Sequence, residues 1–143
     1  KEISKYVSRE LVLCLGDFAL LPEYQITKGQ IIIETKIESE RVLVNINYPL
    51  TIIKDDSKSK LEDFSSEVPV RLGIVYDAVG EFIEKNLETP GGFCVSCLLE
   101  ITAEKDLYVN VFDSDDRTKI FIITDYNSII NKKEFVYVFA NEY

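Results

Sequence analysis

Cys94-Val-Ser-Cys97 is the sharpest local feature of the chain. It falls where a helix is expected to begin, just after Pro90-Gly91-Gly92. A thiolate at a helix N-terminus is stabilised by the peptide dipoles there, which is how redox-active cysteines acquire a low pKa. The same spacing suits a local disulfide, or two small buried thiols. Thioredoxin-like folds place such a motif after a strand. Here a helix precedes it, and no basic residue lies close in sequence. A structural disulfide, inert thiols and an active redox pair all stand as readings of these two residues.

Other chemistry is narrowed by what the chain lacks. It has no histidine, so neither a Ser–His–Asp nor a Cys–His centre can be built from it. Cys14 makes the cysteine count odd, and the expected helix turns it toward the core. Three cysteines without histidine fall short of a zinc site, so no metal and no cofactor is expected. Asp113, Asp115 and Asp116 fall in one loop and offer oxygen ligands, the chemistry calcium needs. The loop lacks the glycine and the distal glutamate of an EF-hand, and a solvated acidic turn is the plainer reading. With 25 acids many carboxylate pairs exist, and nothing selects one for glycoside chemistry. The net charge of −9 repels phosphate, so nucleic acid is not an expected partner.

The elements that must position these residues follow from hydrophobic period. Arg41 to Lys54 carries Val42, Val44, Ile46, Tyr48, Leu50 and Ile52 in strict alternation. A helix would scatter those side chains around its axis, whereas a strand puts them on one face. Its other face is mostly polar, the habit of an antiparallel sheet. Pro49 implies a bulge or an edge register. Residues 2–15 read as a helix with Ile3, Val7, Leu11 and Cys14 in a stripe that Phe18 continues, stopped by Gly16. Residues 18–22 read as a packed apolar connector. Further strands are expected at 23–27, 30–37 and 61–72, with 54–60 as a solvated turn and Pro69 at an edge or bulge. The period then becomes 3.6, and Val75, Ala78, Val79, Phe82, Ile83 and Leu87 predict a helix over 74–87 that lies across the first sheet. Residues 88–92 break it, and a helix over 93–104 follows. Strands at 106–112, 119–124 and 134–140 close the chain, with a loop at 127–133. Phe135, Tyr137 and Phe139 alternate in the last strand. Such a row is core in most sheets, and is otherwise an edge offered to a partner strand. The order helix, strands, two helices, strands gives an α+β fold, and 143 residues give one domain spanning 1–143. No apolar run approaches the length needed to cross a bilayer.

The phrases VNINYPLTI (44–52), VPVRLGIVYDAV (68–79), CVSCLLE (94–100), DLYVNVFD (106–113) and FVYVFANEY (135–143) together resemble an uncharacterised family of archaeal proteins common in small-genome lineages. The resemblance covers nearly the whole chain. It implies a membrane-anchored surface protein with one N-terminal transmembrane helix, an extracytoplasmic first half, and a C-terminal half corresponding to this chain. The absence of any methionine agrees with a piece of a longer protein, its anchor lying before Lys1. An extracytoplasmic location would favour a disulfide at Cys94 and Cys97. The resemblance carries no established activity. The resulting expectation is a non-enzymatic surface domain with a structural or contact role, through a protein partner or self-assembly. A thiol–disulfide protein using Cys94 and Cys97 is the first alternative, and a ligand- or calcium-binding module at 113–116 the second.

Overall fold

A computed structural model of the chain describes residues 1–88, 93–114 and 118–142. Three helices and seven strands appear among them, in two antiparallel sheets, an α+β fold as expected. The chain divides into two compact units. The first comprises Lys1–Lys36 and Leu43–Val68, and the second Ile37–Val42 and Pro69–Tyr143.

In the first unit, α1 (Glu2–Leu15) ends at Gly16, whose φ of 49° is the left-handed stop that glycine adopts without penalty. Strands β1 (Gln25–Lys28), β2 (Ile32–Ile37), β3 (Val42–Lys54) and β4 (Ser57–Val68) form a sheet in which β3 pairs with the other three. The alternation read from the sequence holds, for Val44, Tyr48 and Leu50 are buried. Leu11, Leu15 and Phe18 join Ile46, Tyr48, Leu50 and Phe64 around an apolar cavity of about 280 Å³. The Phe18 and Tyr48 rings stack at 6.4 Å.

Several expectations for this unit are corrected. Cys14 is exposed, because the half-buried stripe steps by four from Ile3 through Val7 and Leu11 to Leu15 and leaves position 14 to one side. Phe18 alone anchors the 18–22 connector, and Leu20 and Leu21 are exposed. Pro49 lies in the central strand rather than on an edge. The β1 ladder ends beside it, at Lys28 opposite Leu50, and the Gly29 N–H donates to the Pro49 carbonyl at 2.7 Å. The solvated turn shrinks to Asp55-Asp56, since β4 begins at Ser57 with both faces exposed. Low apolarity hides the start of such a strand, residues 57–60, whose requirement is ladder bonding to β3. Beyond Val68 the strand stops at Pro69, and the chain turns directly into a helix.

The second unit contains α2 (Leu72–Leu87), α3 (Val95–Glu104), and β5 (Tyr108–Asp113), β6 (Thr118–Ile130) and β7 (Lys133–Glu142) in sheet order 5-6-7. Val75, Ala78, Val79 and Phe82 of α2 pack with Leu98 and Ile101 of α3 and with Leu107, Phe121 and Ile123. Helix α2 thus buries its stripe on the C-terminal sheet of its own unit, whereas the apolar face of β3 is lined from α1. Ile83 and Leu87, assigned to the same stripe, are exposed. The stretch 127–133 is not a loop. Strand β6 runs on to Ile130 past a register shift between Asp125 and Ile129, and a two-residue turn at Asn131 and Lys132, both at positive φ, leads into β7. No helix among the described residues is long and apolar enough to cross a membrane.

Candidate functional site

The registers of the C-terminal sheet sort its side chains onto two faces. Val109, Ile123 and Tyr137 stand opposite one another, as do Val111, Phe121 and Phe139. These rows face the helices. Phe121 stacks on Phe139 at 4.6 Å, and Phe82 approaches Phe121 at 5.4 Å and Phe139 at 6.5 Å. Phe135, Tyr137 and Phe139 are therefore partly buried and packed on the core, so the aromatic side chains are not what β7 offers outward. As an edge strand, β7 leaves one side of its backbone without a strand neighbour in the sheet.

The rows between them form the opposite face. Tyr108, Thr124 and Val136 make one row, Asn110, Ile122 and Val138 the next, and Phe112, Ile120 and Ala140 the third. None of these nine side chains is charged, on a chain with 41 charged residues (16 basic and 25 acidic). Tyr108 is 51% exposed, Phe112 53%, Val136 49% and Val138 57%. Tyr126 extends the face, its ring 6.3 Å from Tyr108. At the areas such side chains present, this amounts to roughly 600 Å² of exposed surface, the upper end for the largest apolar patch of a monomer.

The two cysteines stand at the start of α3. Cys94 occupies its N-cap position and is joined to Cys97 by a disulfide, the Cα atoms 5.3 Å apart. The Cys97 N–H donates to the Cys94 sulfur at 3.3 Å, and the Cys94 N–H donates to Asn86 Oδ1 at 3.2 Å. Asn86 belongs to α2, so the cap ties the two helices together. Of the acidic loop, Asp113 ends β5 and pairs with Lys119, while Asp115 and Asp116 lie outside the described residues, as does Tyr143. No group of three or more potential ligands is present among the described residues.

One cluster was not singled out from the sequence. Asp125 is fully buried at the register shift of β6. Arg71, just before α2, donates through Nη2 to Asp125 Oδ1 at 2.6 Å and through Nε to Oδ1 and Oδ2 at 3.2 and 3.1 Å. Its Nη2 also reaches the carbonyls of Lys105 and Asp106, at 3.3 and 3.1 Å. Ser128 donates from Oγ to Asp125 and accepts the Arg71 N–H at 2.9 Å, and the Asn127 N–H adds a bond of 3.1 Å to the carboxylate. Burial acts to raise the Asp125 pKa. The hydrogen bonds from Arg71, Ser128 and Asn127 outweigh it and hold the carboxyl below its usual range. The carboxylate, through its hydrogen bond above all, raises the Arg71 pKa. Every member is satisfied, so the cluster is a clasp joining the start of α2, the end of α3 and β6. The legible signal was parity, since Asp125 continues the inward positions of Phe121 and Ile123, where a carboxylate needs a buried cation.

Compared with protein-family models, curated proteins and solved structures, the chain matches none.

Proposed function

We propose that this chain is a non-enzymatic contact domain of a cell-surface protein, held outside the cell by an anchor before Lys1. One observation carries the reading, the three uncharged central rows on the outer face of β5–β7 in an otherwise strongly acidic chain. An exposed apolar patch at the upper end of the monomer range is often a functional one. The Cys94–Cys97 disulfide supports an oxidising, extracytoplasmic setting, and the sequence resemblance supports an archaeal surface protein. The exposed thiol of Cys14 supplies the test. A membrane-impermeant maleimide applied to intact cells making the full-length protein is expected to label Cys14 without lysis. Labelling that appears only after lysis overturns the location.

A second reading has one observation in its favour. The cap of α3 directs the Cys97 N–H at the Cys94 sulfur, an arrangement that would stabilise a Cys94 thiolate after reduction. On that reading the domain is an extracytoplasmic thiol–disulfide protein. Titration of the reduced chain decides it. A Cys94 pKa near the free-thiol value of about 8.5 removes the reading, and a strongly depressed value favours it over the contact role.

A further inference from the structure

We infer that the outer face of β5–β7 binds the same face of a second copy of this chain, giving a two-fold symmetric dimer of stacked sheets. The inference rests on the contact reading and names its partner. Three features of the face select a second copy.

The first is charge. With a net charge of −9, two copies repel one another over most of their surfaces. The nine positions at the centre of the outer face carry no charge, and the carboxylates of that face, Glu134 and Glu142, stand at the two ends of β7, so the centre can meet its own kind without juxtaposing like charges. A basic partner would find only Glu134 and Glu142, at the ends of the face, to pair with, and nucleic acid or an anionic membrane is disfavoured by the acid elsewhere. Charge thus gives no reason for an oppositely charged partner on this face and leaves self-pairing open.

The second is area. Roughly 600 Å² of exposed side chain, enlarged by the half-buried Ile120 and Ile122, approaches the roughly 800 Å² that each partner contributes to a stable complex. The third is shape. The three rows are regular sheet positions with β-branched residues at the centre and aromatic residues along β5. Faces of this kind stack about 10 Å apart with strands nearly aligned. A two-fold axis near Ile122 makes the interface isologous, Val138 of each copy meeting the β5 side of the other.

Sedimentation of the 143-residue chain tests this. The expected result is a reversible monomer–dimer equilibrium that tightens as salt screens the acidic rims. Val138→Asp places a like charge in both halves of the interface and is expected to abolish the dimer. Val136→Thr with Val138→Thr keeps the strand-forming side-chain shape and is expected to weaken it by roughly tenfold or more. Ile83→Asp, on the exposed side of α2, should leave the equilibrium unchanged. Circular dichroism identical to the parent chain secures each comparison. A chain monomeric at every concentration, or a dimer indifferent to Val138→Asp, overturns the inference. If the chain is monomeric yet Val138→Asp abolishes attachment of the labelled chain to intact cells, self-pairing falls and the contact reading stands. If Val138→Asp changes neither assay, both fall.

Discussion

Replacing Arg71 by methionine isolates what the buried clasp contributes. Methionine fills much of the arginine stem and removes only the guanidinium. Three donor contacts to Asp125 and two to the carbonyls of Lys105 and Asp106 disappear. The Asp125 carboxylate stays at 0% exposure with only Ser128 and the Asn127 N–H to stabilise it. Arg71 is itself only 14% exposed, so solvent screening reduces the effect little. Stranding one member of such a pair costs about 3–5 kcal/mol. Hydrogen exchange of the α2 and β6 amides reads that loss within the C-terminal unit.

The pH dependence gives the reasoning a sign. In the parent chain the Asp125 pKa is depressed on folding. Its contribution is therefore complete above the unfolded value of about 3.9 and is lost as pH falls through the lower folded value. In Arg71→Met, burial is opposed only by the hydrogen bonds from Ser128 and the Asn127 N–H, and the folded pKa rises. That chain should gain stability as pH falls from neutrality toward about 4, the reverse of the parent's slope in acid. Pairing Arg71→Met with Asp125→Leu removes both charges and should recover most of the loss. A cost under about 1 kcal/mol, or a double variant no better than the single, refutes the assignment of the clasp as a coupled buried pair.

Two further predictions concern the same fold. A Cβ at Gly73 would stand 2.5 Å from the Glu38 carbonyl oxygen, a backbone atom, so Gly73→Ala should destabilise the C-terminal unit by about 1–3 kcal/mol in denaturant titration. In the native, unreduced chain, Ellman's reagent should detect one thiol, that of Cys14. Reducing the Cys94–Cys97 bond, which closes a short loop, should lower the melting free energy by no more than about 2 kcal/mol.

The parts legible in the sequence were those in which one period dominated. Val42 to Leu50 alternate cleanly, and β3 is where that pattern puts it. Val75, Ala78, Val79 and Phe82 recur at helical spacing, and α2 buries those four. What the pattern lacked was the identity of the covering partner. An apolar face states that it is covered, not by what, so assigning α2 to the first sheet was one of two equal choices. Strand β4 was half hidden because both its faces are exposed, and the end of β6 was hidden because its bulge breaks the alternation at Asp125. The outer face was passed over for a related reason. The aromatic row of β7 drew attention, while Val136 and Val138 between those rings read as ordinary strand filler. Only the pairing with β5 and β6 shows that their cross-strand neighbours are uncharged as well.

The position of the clasp at the bulge bears on how β7 finds its alignment. In most half-buried strands a slip by one residue is forbidden because polar groups would enter the core. That safeguard is weak over the middle of β7, where a slip would exchange Phe135, Tyr137 and Phe139 for Val136 and Val138, and only Glu134 and Glu142 at its ends oppose it. The tight reversal at Asn131 and Lys132 fixes the pairing at one end. The Arg71 anchor, by allowing Asp125 and Ser128 only one buried arrangement, fixes the phase of β6 that β7 must read. A strand greasy on both sides through its middle thus takes much of its alignment from a buried ion pair, and mispairing is the failure to expect when that pair is broken.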